Sequence, residues 1–404
     1  MAIPLREPVP RLRPHAGPAI LAYGFRPFFL AAGVAAALAL ALWLADIAGG
    51  LALPSAFPPM LWHAHEMLFG FATAAVAGFL LTAIPNWTGR LPVQGSPLLG
   101  LVLLWLAGRL AVATSELIGV WPAAVIDLAF LAAMVFVVAR EIIAGNNRRN
   151  LPMVAGLTAL LLANALMHAE GAGLPIPEGS GWRLAIAVIT LLIALIGGRI
   201  VPSFTRNWLA KNRPGKPLPA PADRFDQVCM AVTVVALLAW VLAPGTWLAA
   251  ALLGAAAVAG AVRLGRWQGW QTAADPLVLV LHIGYAWVPL GLALLAVGQV
   301  SGSVTEMAAL HGLTAGAMGT MTLAVMTRAT LGHTGRALRA GPGTTAIYVL
   351  VTIAAVVRIL TAFLPGAWTP LVWTAGLAWI AAFAGFVAIY GPMLVGRRID
   401  GRPG

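Results

Sequence analysis

The chain has 404 residues, of which 60% are hydrophobic and only 9% are charged, and its mean hydropathy is +0.90. This composition excludes an ordinary soluble domain, in which about a quarter of the residues are charged. The net charge of +12 would be compatible with nucleic-acid binding. The basic residues instead follow the pattern of a membrane protein, described below, so we predict no nucleic-acid partner.

Apolar runs of about 17–25 residues predict about twelve membrane-spanning helices. In chain order they are expected near residues 24–47, 61–84, 98–115, 121–143, 151–170, 182–203, 226–243, 246–263, 274–298, 304–328, 344–364 and 369–394. The predicted fold class is therefore all-α, a polytopic membrane helical bundle surrounded by the lipid bilayer. We expect one integral membrane domain over residues 1–404, with a basic tail (1–20), a polar connector (205–226) and a C-terminal tail (395–404).

Basic residues occupy alternate loops of this arrangement. One set of loops lies on the same side as both termini and holds Arg90, Arg148, Arg149, Lys211, Lys216, Arg263, Arg266, Arg336 and Arg339. The opposite loops carry Asp46, Glu116, Glu170 and Glu178 and almost no arginine or lysine. This positive-inside pattern predicts that both termini, the two tails and the connector are cytoplasmic.

Six of the seven histidines lie within the apolar segments or at their ends. They are His63, His65, His168, His282, His311 and His333. Imidazole and charged side chains are costly in a bilayer, so those found there are functional candidates. The single cysteine, Cys229, excludes a metal site built from several thiolates. We therefore predict that the six histidines are the pool of ligands for a metal or a haem.

The topology places four histidines towards the outer side of the membrane: His63, His65, His168 and His311. Residues two apart on a helix point about 200° away from each other, so His63 and His65 should face different sides and could serve two centres. A histidine of the second helix opposite His311 would suit a haem, and copper also accepts imidazole.

The candidate axial ligands of haem are thus His63, His65, His282 and His311. All six histidines stay candidate metal ligands, with His333, beyond the inner end of the tenth helix, the least favoured. Which histidine would take which group stays open.

Two carboxylates next to these histidines are candidates for a proton route. Glu66 follows His65 directly, and Glu306 precedes His311 by five residues. The alternative for both is a structural role, because a carboxylate near a helix N-terminus is stabilised by the helix dipole.

An internal repeat is indicated when residues 65–90 are aligned with residues 311–336. Each stretch begins with histidine, has a glycine five residues later (Gly70 and Gly316) and ends in Thr-Gly-Arg. The alignment makes the second helix equivalent to the tenth and suggests repeated four-helix units.

Several motifs resemble those of the bacterial NnrS family. They are LAYGFRPFF (21–29), WHAHEMLFG (62–70), PNWTGR (85–90), GGRIVPSFTRNW (197–208), LHIGYAW (281–287) and AVMTRATLGHTGR (324–336). The resemblance implies a bacterial inner-membrane protein that contains b-type haem and copper, is associated with denitrification and relieves nitrosative stress. The arrangement of twelve helices with histidines on the second and tenth also resembles the haem–copper oxidases, by analogy of fold only.

Three functions are compatible with the resemblance and the residues. The first is an oxidoreductase that reduces nitric oxide at a haem–metal site with the help of an electron donor, which the sequence does not name. The second is a haem protein that binds or senses nitric oxide without turnover. The third is a transporter of a metal or nitrosyl species.

Overall fold

In the computed structural model, residues 15–301 and 306–402 are described, Met307 by its backbone only. Over these residues the chain is helical without strands, and twelve helices are long and apolar enough to cross a membrane. They are α1 Phe25–Ile47, α2 Pro59–Thr88, α3 Ser96–Ala113, α4 Val120–Ala144, α5 Arg148–Gly171, α6 Ser180–Asn212, α7 Arg224–Leu242, α8 Trp247–Gly265, α9 Pro276–Gly298, α10 Ala308–His333, α11 Pro342–Leu360 and α12 Pro365–Val395. The predicted all-α membrane bundle is confirmed.

Hydrogen bonds between loops show that successive helices run in opposite directions. At the end of the bundle that holds both described termini, Ile399 N–H donates to Thr334 O (3.3 Å). At the same end, Asn147 between α4 and α5 donates to Trp87 O on the last turn of α2. We call this the termini end. The basic loops predicted to share one side therefore lie together.

The opposite end, called the distal end here, carries the loops with the acidic residues. Glu116 N–H donates to Pro54 O (3.0 Å), which joins the loop after α3 to the loop after α1. Gly245 N–H donates to Gln299 Oε1 (2.7 Å), which joins the loop after α7 to the loop after α9.

Two helices are longer than the apolar runs predict, because their polar ends continue past the apolar segment. Helix α2 covers Pro59–Thr88 instead of 61–84, and α6 covers Ser180–Asn212 instead of 182–203. The segment between α6 and α7 comprises 213–223, which lies inside the predicted connector over residues 205–226. Helix α6 ends at Asn212, and Pro214 lies two residues further on. Helical geometry is disfavoured for the residue before a proline, which is Arg213 here.

Parts of the predicted tails and of the tenth helix lie outside the described residues. These parts are residues 1–14 of the basic tail, residues 403–404, and residues 304–305 of the tenth helix, which is described from Glu306 onwards. The last helix ends at Val395, the first residue of the predicted C-terminal tail.

Helices α2 and α10 are the most enclosed helices of the described bundle. The apolar window of each is 78% buried, against 33–67% for the other ten. Close approach depends on glycine at one contact, where α10 crosses α9. A Cβ atom on Gly312 would lie only 2.9 Å from Gly291 Cα, so no side chain fits there.

Both enclosed helices change to π-helical geometry directly after a histidine. The π segment of α2 is Glu66–Ala72, after His65, and that of α10 is Gly312–Gly319, after His311. Gly89 and Gly335, past the ends of these helices, both have positive φ (70° and 76°). The backbones thus agree with the alignment of residues 65–90 and 311–336, and the four-helix units remain a prediction. π segments inside α-helices are frequent at functional sites.

A buried arginine of the first helix forms hydrogen bonds with the end of the last helix. Arg26 is fully buried, and its Nη1 donates to the carbonyl oxygens of Leu394 (2.9 Å) and Gly396 (2.6 Å) at the end of α12. The terminal carbonyls of a helix have no partner within the helix, so this guanidinium satisfies acceptors that would otherwise be buried unpaired.

We expect Arg26→Met to lower the free energy of unfolding by about 2–4 kcal/mol, because it removes charge-assisted hydrogen bonds and leaves buried carbonyls unpaired. The measurement is the temperature at which half of the detergent-solubilised protein loses its monodisperse size-exclusion peak. Arg397→Met is the matched control, since Arg397 is exposed near the same helix end. Equal midpoints for the two variants would contradict this role of Arg26.

Candidate functional site

The two histidines at the start of α2 lie in different surroundings, as the helix periodicity predicts. His63 faces a cavity between the helices. His65 is fully buried on another side of α2, within a group of charged and polar side chains. Helix α2 therefore separates two candidate sites, which we call the cavity and the polar cluster.

The cavity has a volume of about 460 Å³ and lies in the distal half of the bundle. Two histidines line it, His63 from α2 and His311 from α10. Most of its wall is apolar, contributed by α1, α2, α6, α10, α11 and α12, and includes Leu40, Leu68, Phe71, Ile186, Met318, Ala354, Val372 and Trp379.

His63 lies against an aromatic ring on the cavity wall. Its imidazole stacks on the indole of Trp43, with ring centroids 4.5 Å apart and an angle of 29° between the planes. Its Nδ1 atom is buried and has no hydrogen-bond partner. Buried polar atoms are nearly always paired in folded proteins, so an unpaired ring nitrogen on a cavity wall is a candidate for binding a ligand.

Charged residues line the cavity only near its distal opening. Glu170 ends α5, Glu178 precedes α6, and Arg358 is close to the end of α11. Both carboxylate oxygens of Glu170 accept the backbone N–H of Gly179, at 3.0 and 3.1 Å. The charges are thus separated from the apolar inner part, which can accommodate a large apolar group.

The polar cluster is centred on a carboxylate in the first third of α4, Asp127. Asp127 Oδ2 lies 3.2 Å from His65 Nε2 and 3.0 Å from His168 Nε2, and the ligand atoms of the three residues lie within 4.8 Å of one another. All three side chains are buried. His65 Nδ1 lies 3.2 Å from Glu66 Oε1.

An arginine and an asparagine complete the polar cluster. Arg109 Nη1 donates to Glu66 Oε1 (2.6 Å), and its Nη2 donates to Asp127 Oδ1. Asn164 Nδ2 donates to Asp127 Oδ2 (2.8 Å), and Asn164 Oδ1 lies 2.9 Å from His65 Nε2.

The charges of the polar cluster do not balance when both imidazoles are neutral. Two buried carboxylates, Glu66 and Asp127, then face the single guanidinium of Arg109. An unbalanced buried charge is costly, so the cluster favours one further positive charge. A proton on an imidazole or a metal cation can supply it.

The other predicted site residues lie outside both sites. His282 Nε2 is 2.7 Å from Thr205 Oγ1, towards the termini end. His333, at that end, stacks with Tyr23. Glu306 Oε1 accepts a hydrogen bond from the indole N–H of Trp240 (3.1 Å).

Three residues of the polar cluster are not among the predicted site residues: Arg109, Asp127 and Asn164. A signal for Asp127 was present, because it is the one charged residue within the apolar run over residues 120–139, and such charges are functional candidates. Asn164 carries no charge, and nothing in its local sequence distinguishes it.

The comparisons with known proteins agree with the fold and the histidine-bearing segments. The chain matches the family described as NnrS protein over residues 19–398, nearly its whole length. No curated protein matches it significantly. The match includes all four helices that carry histidines, α2, α5, α9 and α10, and every residue of the cavity and of the polar cluster. The chain therefore belongs to the NnrS family and is a multi-pass membrane protein of the nitric oxide response.

Proposed function

We propose that the chain binds haem and copper within the membrane and reduces nitric oxide there, which protects the cell against nitrosative stress. The observation that carries this proposal is the position of α2 between two sites of different chemistry. Its His63 shares an apolar cavity with His311. Its His65 lies in a charged cluster with Asp127 and His168.

The cavity fits a b-type haem in its donors and its surroundings. His63 and His311 belong to two different helices, which suits axial ligation of a macrocycle held between elements. The volume and the mainly apolar wall are those of a small-molecule site. We assign His63 and His311 as the residues that would hold the haem, and the unpaired Nδ1 of His63 supports this.

The polar cluster fits a copper ion. Two imidazoles and a carboxylate, from His65, His168 and Asp127, are a donor set that divalent transition metals accept. Histidine ligands usually have their second ring nitrogen on a carboxylate, and Glu66 occupies that position next to His65 Nδ1. A bound cation would also supply the positive charge that the cluster lacks.

Reduction converts two molecules of nitric oxide, two electrons and two protons into nitrous oxide and water. When bound, the haem and the copper supply redox-active metals for this chemistry. If His63 and His311 both held the haem, nitric oxide would need a further site, so the proposal includes the second centre at His65. Nitric oxide is small and uncharged, so it can reach an apolar cavity through the lipid.

Protons must come from groups of the chain that are close to the two sites. Glu66 contacts His65 and Arg109, so it remains our candidate for the proton route. Glu306 was predicted for the same role, but it is not among the residues that line the cavity or form the polar cluster.

We propose the bacterial inner membrane as the location, with both termini in the cytoplasm. The basic loops lie at the termini end and the acidic loops at the distal end, in agreement with the positive-inside rule. In this orientation the cavity opens towards the outer side, and the electron donor would reach it from there.

His63→Ala and His311→Ala should each lower the haem content about tenfold or more, since each removes a residue that would hold the haem. The measurement is the ratio of haem absorbance to protein after purification in detergent. His282→Ala and His333→Ala are the controls, because these histidines lie outside both sites. Full haem in both cavity variants would contradict the assignment.

His65→Ala and His168→Ala should remove copper and leave the haem absorbance near the wild-type level, because these residues face the polar cluster and not the cavity. Glu66→Gln should weaken copper binding by about tenfold to a hundredfold, as expected for a partner of a ligating histidine. The metal content is measured by mass spectrometry on wild-type and variant proteins, with His282→Ala as the control. Wild-type copper content in His65→Ala would refute the copper site.

Purified protein supplied with an artificial electron donor should consume nitric oxide and form nitrous oxide, and His65→Ala should abolish this turnover. The measurements are a nitric oxide electrode and gas chromatography. Haem with nitric oxide binding but without consumption would identify a binding or sensing protein. If cells are supplied with haem and the purified protein still contains none, the result would favour a transporter.

A further inference from the structure

Arg358 brings a charge into the cavity that no described carboxylate balances. It lies near the distal end of α11, and its Nη1 donates to Thr361 Oγ1 (2.7 Å), a neutral partner. The other charged residues on the cavity wall, Glu170 and Glu178, form no ion pair with it among the described residues, and Glu170 is engaged by Gly179. A guanidinium in a membrane protein normally pairs with an anion or with backbone carbonyls.

A second, independent feature lies on the same wall. Trp43 is buried, with 4% of its surface exposed, and its indole N–H has no hydrogen-bond partner. The ring lines the cavity and stacks on His63, and Arg358 lines the same cavity. Because a buried N–H without a partner is costly, this donor also favours an acceptor supplied by a ligand.

Both donors lie at the distal end of the cavity, where Glu170 and Glu178 also lie, and most of the inner wall is apolar. Trp43 is four residues from the end of α1 and Arg358 two residues from the end of α11, so both lie near the distal opening. The inner part is lined by Leu68, Phe71 and Met318, among others. A ligand that satisfies both parts has a large apolar body and an anionic oxygen at one edge.

We propose that Arg358 and Trp43 form the anion-binding end of the cavity and hold a carboxylate of the bound haem, with the propionates towards the distal opening. This inference rests on the proposed function, because it assigns the orientation of the group that His63 and His311 would bind. An arginine fork recognises a carboxylate by charge-assisted hydrogen bonds, and an indole N–H adds a neutral one. A fatty acid or a lipid phosphate has the same anionic chemistry, so the test must separate these sources.

The test compares the binding of two ligands to wild type and to single-residue variants. The full-length proteins are expressed under haem limitation and purified in detergent. Haem and haem dimethyl ester, whose propionates carry no charge, are titrated into wild type, Arg358→Gln and Trp43→Phe. Binding is followed by the absorbance of the bound haem, not by activity. Arg328→Gln is the matched control, since Arg328 is a helix arginine that packs over Phe204 and does not line the cavity.

Wild type and Arg328→Gln should bind haem about tenfold more tightly than the dimethyl ester, as expected for one charge-assisted hydrogen bond. In Arg358→Gln this preference should fall to about threefold or less, because haem affinity falls, ester affinity stays the same, and only the hydrogen bond of Trp43 remains. In Trp43→Phe the preference for haem over the ester should fall about threefold, because the hydrogen bond that the indole donates is neutral. Arg358→Lys retains the positive charge and should retain part of the preference. This result would show that the effect of Arg358→Gln comes from loss of the charge and not from misfolding.

Equal affinity for haem and its ester in wild type, or an unchanged preference in Arg358→Gln, would overturn the inference. Native mass spectrometry provides the second arm. A lipid or fatty acid that wild type retains and Arg358→Gln loses, with no change in haem preference, would show that the anion is a lipid and also overturn it. The haem site itself would be refuted if wild type bound no haem, or if His63→Ala left haem binding unchanged. These outcomes differ from those that overturn only the inference about Arg358 and Trp43.

Discussion

The arrangement of both sites depends on the contacts of one buried carboxylate, that of Asp127. It belongs to α4 and contacts three other helices, through His65 of α2, Arg109 of α3, and Asn164 and His168 of α5. In surroundings of low dielectric constant, removal of one partner leaves a buried charge or donor unpaired, which costs more than the pair itself contributes. Four consecutive helices are therefore held in one relative rotation by a single side chain.

The rotation of α2 decides what its other histidine can reach. With His65 held by Asp127, the residue two positions earlier must face another side of the helix, and His63 consequently lies on the cavity. Helix α10 contributes His311 to the same cavity. Because α2 and α10 are the most enclosed helices, both histidines are presented between helices and not to the lipid.

The two sites differ in the kind of group that their surroundings stabilise. The polar cluster is small, and its charges come to one negative charge in excess when the imidazoles are neutral, which favours a cation. The cavity is large and mainly apolar, with an arginine and an indole N–H at its distal end, which favours a bulky group with an anionic edge. The proposed reaction, with two redox-active metals, would use these two sites on either side of one helix.

The sequence by itself determined the features that depend on local pattern. Hydropathy determined twelve spans, the loop charges determined which loops share an end, and the spacing of His63 and His65 determined that they face different sides. These follow from properties of a few turns of helix, which neighbouring residues set. The lengths of α2 and α6 were underestimated, because hydropathy measures the apolar run and not the helix that continues past it.

Only the tertiary structure decided which histidines act together. His63 with His311, and His65 with His168, come from segments that are far apart in the chain, and their contacts depend on how the helices pack and rotate. The same packing brought Asp127 and Asn164 into the polar cluster, and it left His282 beside Thr205 and His333 beside Tyr23. A sequence can show that an imidazole in a membrane needs a partner, but the partner itself is fixed by helix packing.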